Sequence, residues 1–249
     1  MPVHFDKQGP VVVLTLDRPE KRNAFDSALT AALDEALNAF EDDPTLRVAV
    51  LTGGTQFFSA GTDVVAWAGK PTPRGGPYGI AGRRLQKPII AAVDGIAAGG
   101  GFEIALSASM IVASTTASFS LPEVGLGLIA ECGGLFRGPR ALPLNIAREL
   151  LLTGAPLGAE RAHALGLVNR LTAPGHALTE ALALARQIAQ RAPLAVHETL
   201  AALEALNAED DARGWTLTEH AKTVARQSAD AREGVAAFKA RRAPQWQGR

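Results

Sequence analysis

One cysteine (Cys132), one tyrosine and two methionines are present in 249 residues, and aromatic residues make up only 5%. With no second cysteine an intrachain disulfide is excluded, so a reducing compartment and a cytoplasmic location are expected. A zinc site built from cysteines is excluded by the same count. Excess charge of either sign is also missing: 25 Lys and Arg face 25 Asp and Glu. Such a balance offers no general field for gripping nucleic acid or an anionic membrane. Long apolar runs are absent. The best, Ile89–Val93, stops at Asp94, far short of the ~20 residues that span a bilayer. Val11–Leu16 is too short for the core of a secretory signal. The expectation is a soluble chain with neither nucleic-acid nor membrane partners.

Several signatures fail on inspection. His197-Glu198 opens the zinc-protease helix motif, but position 201 is alanine, so the second ligand is missing. The five histidines show no ligand spacing, and no metal is expected. There is no Gly-x-Ser-x-Gly elbow and no glycine run closed by Lys-Ser/Thr. Gly125 to Ala130 fits a loose dinucleotide fingerprint. Pro122-Glu123 before it and Cys132-Gly133-Gly134 after it deny the motif its strand and helix.

What is present reads as an α/β core followed by a helical tail. Val11–Leu16 is a β-branched run between Gly9-Pro10 and Arg18-Pro19, which predicts a strand. Asp26 or Ser27 caps a helix whose apolar stripe is Leu29, Leu33, Leu37 and Phe40, ended by Pro44. Val48–Thr52, Ile89–Val93, Met110–Ala113 and Ser118–Ser120 predict further strands, with helices after Asp63 and over Gly100–Leu106. Residues 70–79 have the composition of a mobile surface loop. From about residue 144 helical patterns dominate, over 144–152, 159–165, 176–190, 193–207, 210–226 and 231–241. One strand-like run, Leu167–Leu171, lies among them. The division expected is a core over 1–190 and a helical region over 191–249.

Two glycine-containing segments suit close approach by a ligand. Phe57-Phe58-Ser59-Ala60-Gly61-Thr62-Asp63 follows a strand, and Gly99-Gly100-Gly101 opens the helix that carries Glu103. N–H groups at a helix start lack intrahelical acceptors and carry the positive end of the dipole. One donor from each segment makes an oxyanion hole. The plainer alternative is that the glycines only permit tight packing. Glu103, Glu123 and Glu131 are each, taken alone, solvated acids. Converging beside such a hole they suit proton transfer to and from a polarised substrate.

Phe58 to Asp63, Asp94-Gly95 through the triple glycine to Glu103, and Leu121 to Gly127 together resemble the crotonase, or enoyl-CoA hydratase/isomerase, superfamily. Leu16-Asp17-Arg18-Pro19 with Asn23-Ala24, Gly133-Gly134-Leu135 with Arg137, and Phe238 to Arg242 with Pro244 and Trp246 extend the likeness along the chain. The resemblance implies a spiral of ββα turns with a C-terminal helical trimerisation region, as a homotrimer or a dimer of trimers. It implies an acyl-CoA thioester as substrate and no separate cofactor, since coenzyme A is part of that substrate. The backbone N–H groups of Thr62 and Gly100 then form the oxyanion hole, and Glu103 and Glu123 are the acid and base of hydration. Ala60 lines the adenine pocket, with Asp63 nearby, while Lys21, Arg22 and Lys239 meet coenzyme A phosphates. The chain departs from the common hydratase pattern at Ile129-Ala130-Glu131. Glu131 instead matches a third catalytic acid of the dienoyl-CoA isomerase branch. Enoyl-CoA hydratase is the favoured activity. The alternatives are an enoyl- or dienoyl-CoA isomerase that uses Glu131, and a catalytically silent acyl-CoA-binding protein.

Overall fold

A computed structural model describes residues 2–249. The chain opens with an antiparallel pair, β1 (Val3–Gln8) and β2 (Val11–Leu16), followed by helix α1 (Ser27–Asp42). The Asp26 carboxylate accepts from the Leu29 N–H at 2.8 Å and caps α1, while Leu29, Leu33, Leu37 and Phe40 form its buried stripe. Three strand pairs then repeat: β3 (Val48–Thr52) with β4 (Phe57–Ser59), β5 (Ile89–Val93) with β6 (Ile96–Ala98), and β7 (Met110–Ser114) with β8 (Ser118–Ser120). Helix α2 (Gly100–Leu106) follows β6. After β8 come α3 (Gly134–Ala141), α4 (Leu144–Thr153), β9 (Leu157–Gly158), α5 (Ala159–Ala164), β10 (Arg170–Thr172), α6 (Ala177–Ala189), α7 (Pro193–Gln227) and α8 (Ala229–Ala240).

The first strand of each pair joins a six-stranded sheet in the order β1-β2-β3-β5-β7-β10, and the second joins a four-stranded sheet in the order β4-β6-β8-β9. Apart from β1 and β9, neighbouring strands are parallel. This stepping of paired strands along two sheets is the expected spiral of ββα turns. Buried on both faces, β3 and β5 read as continuous apolar runs. Their outer face meets Ala177, Ala181, Ala185 and Ala189 of α6, four residues apart, so helix and sheet pack closely.

The elements differ from expectation in instructive places. No helix follows Asp63, where Val64–Ala66 form only a turn. Helices expected over 193–207 and 210–226 are one continuous helix, α7. The strand expected over Leu167–Leu171 is β10, shifted to Arg170–Thr172, where it pairs with β7. Residues 70–79 are not a free loop: Pro77–Gly79 form a 3-10 turn in which Tyr78 and Gly79 are buried against α1. Arg83 anchors this segment. Its guanidinium donates to Asp34 at 2.7 Å, Asn38 at 2.9 Å and Glu41 at 2.6 Å, and both Arg83 and Glu41 side chains are almost fully buried. No helix among the described residues is long and apolar enough to cross a membrane.

Removing one partner from a buried ionic cluster leaves uncompensated charge behind. Arg83→Met is therefore expected to lower stability by about 3–5 kcal/mol, read as a fall in thermal midpoint. A change within error would show that the cluster is not what holds residues 75–83 to α1.

Candidate active site

Three segments meet around a cavity of about 750 Å³. The size suits a large organic ligand rather than a single ion. The turn after β4 supplies the first wall, the start of α2 the second, and the segment from Pro122 to Cys132 the third. Residues of the C-terminal helices, Lys222, Arg226 and Phe238, close the far side.

The first two walls touch because side chains are missing. Gly61 has φ +90, and a Cβ there would lie 2.6 Å from the Ala98 carbonyl oxygen and 3.0 Å from the Gly100 nitrogen. A Cβ on Gly100 would strike the Tyr78 hydroxyl. At this junction the N–H groups of Thr62 and Gly100 donate to no protein acceptor among the described residues. Gly100 is the first residue of α2, so it has no intrahelical partner. Tyr78 is buried at φ +55, and its hydroxyl shares a 2.7 Å hydrogen bond with Thr62 Oγ1. Burial pushes the phenol well above its ordinary range, so it stays a neutral O–H beside the two donors.

Glu103 stands one turn into α2 and is 2% exposed. Its Oε1 accepts from the N–H groups of Cys132 at 2.7 Å and Gly134 at 2.9 Å. Gly133 at φ +109 turns the chain so that both donors face it. Glu123 sits in a 3-10 turn over Pro122–Leu126, and its Oε2 is shut off from solvent without a hydrogen-bond partner. An unpaired buried carboxylate oxygen is costly in a fold, and this one lies at the cavity. Desolvation, opposed by the two N–H bonds, raises Glu103 to about 7. Desolvation and the repulsion of Glu103 raise Glu123 to about 8. Both acids thus hold a proton to higher pH than a free carboxyl does, Glu103 less so because of its two N–H donors.

Of the other expected residues, Lys21, Ala60, Thr62, Asp63, Gly100 and Glu131 line the cavity. Asp63 is already engaged: it accepts from the N–H groups of Val65 and Ala66 and from Arg18, and these bonds hold it down to about 2. Its carboxylate shapes the loop rather than projecting as a free ligand. Arg22 and Lys239 are exposed and lie outside the cavity lining of this chain. Glu131 is held by Arg226 of α7 in a two-pronged pair, both bonds 2.7 Å. Tyr78, Cys132, Lys222 and Arg226 are lining residues that no motif marked, whereas Phe238 belongs to the C-terminal stretch of the resemblance. Tyr78 alone left a trace, as a bulky side chain inside a Pro/Gly run. No group of His, Cys, Asp and Glu among the described residues is arranged for a metal.

Glu123 gives the site a pH signature. In the unfolded chain it loses its proton near 4.5, whereas the folded protein keeps it to about 8. Between those values the native state binds more protons, so its stability falls as pH rises. Glu123→Gln removes that dependence. The thermal midpoint of the variant relative to the parent is expected to climb by several degrees between about pH 5 and about pH 9. A difference independent of pH would contradict the burial of this carboxyl.

Residues 6–249 match the family model described as enoyl-CoA hydratase/isomerase. A carnitinyl-CoA dehydratase of Salmonella typhi is 43% identical, with 99% of this chain and 98% of that protein covered. Among solved structures, a carnitinyl-CoA dehydratase from Mycobacterium avium 104 superposes with TM-score 0.93 at 40% identity, over 100% of this chain and 99% of that one. An enoyl-CoA hydratase from Mycobacterium tuberculosis H37Rv superposes with TM-score 0.81, also at 40% identity and with the same coverage. With a matching family model over nearly its whole length and relatives of this similarity, the chain belongs to the enoyl-CoA hydratase/isomerase family.

Proposed function

We propose that the protein is a hydro-lyase that adds water reversibly across the C2=C3 bond of a 2-enoyl-CoA thioester. The observation that carries this reading is the buried pair Glu103 and Glu123, held in unlike environments beside two unpaired N–H groups. The relatives named as dehydratases run the same chemistry in the opposite sense, since microscopic reversibility ties hydration to dehydration.

The two glutamates divide the work by environment. Two N–H donors favour the charged form of Glu103, which takes a proton from water as its oxygen attacks C3. The electron pair of the double bond moves onto the thioester oxygen. There the N–H groups of Thr62 and Gly100 stabilise the developing enolate at the start of α2. Glu123, whose free Oε2 has no competing donor, keeps its proton and delivers it to C2. Coenzyme A is part of the substrate, and the reading calls for no separate cofactor. Lys21 lies at the cavity wall where a phosphate would meet it, while Arg22 and Lys239 do not line the cavity. Glu131 does not enter the proton transfers, because Arg226 already occupies both its oxygens. This removes the main support for an isomerase that uses Glu131 as a third acid.

We further propose that the region 191–249 mediates association into a homotrimer or a dimer of trimers. On the 35-residue helix α7, Leu203, Leu206, Leu217 and Val224 are each more than half exposed and, at about 100° per residue, share one face. An apolar row of that kind on a single chain marks a protein interface.

Two measurements follow. With crotonyl-CoA, loss of the enoyl-thioester absorbance is expected in the parent, with 3-hydroxybutanoyl-CoA as product. Glu103→Gln and Glu123→Gln should each slow it by about 10²–10⁴-fold while acyl-CoA still binds. Full turnover in either variant, or none in the parent with any 2-enoyl ester, would contradict the reading. In light scattering, the parent should have at least three times the mass of one chain. Leu203→Glu with Leu206→Glu should shift it toward the single chain, and a monomeric parent would overturn the association.

A further inference from the structure

The cavity contains a seat suited to a cation, and the protein fills that seat itself. Recognition of an alkylammonium group draws on an aromatic face and a nearby carboxylate. At this cavity those two groups are Trp67 and Glu131. The Arg226 guanidinium lies over the Trp67 ring, 5.5 Å from its centroid, while Nε and one terminal nitrogen bond the two Glu131 oxygens. Lys222, one turn earlier on α7, lines the same wall.

Resting on the hydro-lyase reading, we propose that Arg226 is a specificity-determining residue that excludes acyl chains bearing a fixed positive charge and selects uncharged 2-enoyl chains. Three observations converge on this. The aromatic face and the carboxylate are both occupied. A ligand cation that displaced Arg226 would break two charge-assisted hydrogen bonds and a stacking contact. Having done so, it would compete with the displaced Arg226 guanidinium for the one carboxylate of Glu131, while Lys222 on the same wall stays paired with Glu219 at 2.7 Å. An uncharged chain needs none of this, and meets the indole of Trp67 and the apolar stem of Arg226 as they stand. The proposal separates this protein from its relatives named for a carnitinyl chain, which carries a quaternary ammonium. Discrimination here is achieved by an internal competitor and by repulsion, not by added contacts to the preferred chain.

The test is a binding comparison of two saturated esters that cannot react: butanoyl-CoA and its 4-trimethylammonio derivative, titrated into the full-length protein by calorimetry. The parent should prefer butanoyl-CoA by about tenfold or more. Arg226→Leu, which keeps an apolar stem and frees both Trp67 and Glu131, should lower that preference by about tenfold. Arg226→Lys keeps a charge near Glu131 and should retain most of the parent's preference. Glu131→Gln added to Arg226→Leu should abolish the gain for the cationic ester. Equal or tighter binding of the cationic ester by the parent would overturn the proposal, as would a ratio unchanged in Arg226→Leu. Because these are affinities of inert esters, they stand whether or not the protein hydrates an enoyl ester. Failure of hydration would appear only in the turnover assay, and failure of the selectivity only here.

Discussion

The close approach of the loop at Gly61 to the first residue of α2 is the constraint on which the rest of the site depends. Neither position tolerates a side chain: one would strike the Ala98 carbonyl, the other the Tyr78 hydroxyl. Bare backbone leaves the N–H groups of Thr62 and Gly100 without protein acceptors, a state that a fold keeps only where something else uses them. The two-sheet spiral makes the junction possible. It delivers β4 and β6 side by side in one sheet, so that the chain leaving β4 meets the chain leaving β6.

The acids are placed by the same economy of small residues. Glu103 rides on α2, and Gly133 and Gly134 let the next segment come close enough to donate two N–H bonds to one of its oxygens. Glu123 is brought up by a short turn and denied such donors. Two carboxyls of the same kind thus receive different roles from their surroundings. The C-terminal helices complete the enclosure. Arg226 and Phe238 reach back over a cavity whose chemistry was set more than 95 residues earlier, and Arg226 takes the one acid that the proton transfers leave aside.

Much of this was legible in the chain, for physical reasons that also explain the gaps. The long buried strands announce themselves as β-branched runs, and α1 through its Asp26 cap and leucine stripe. The three-residue strands β4 and β6 carry too little pattern of their own, because parallel partners make them strands. Helix α3 starts on Gly133-Gly134 and contains Pro139, all poor helix signals, so it passes unread. Helix α7 reads as two because its apolar period lapses across Asn207 to Asp211, where the tie is instead the ion pair of Asp211 with Arg140 of α3 at 2.7 Å. At the site, the glycine loops and the order of the acids were visible, but their convergence rested on resemblance. The Arg226–Glu131 pair, across 95 residues, and the Tyr78–Thr62 bond left no local signal.

The central claim, that the N–H groups of Thr62 and Gly100 polarise a thioester carbonyl, is tested most directly by difference vibrational spectroscopy of bound butanoyl-CoA with a ¹³C-labelled thioester carbonyl. The account predicts a carbonyl stretch at lower frequency than in water, because preorganised donors lengthen the bond. The shift should survive in Glu123→Gln, which leaves the donors in place. A bound ester with the frequency it has in water would contradict the claim.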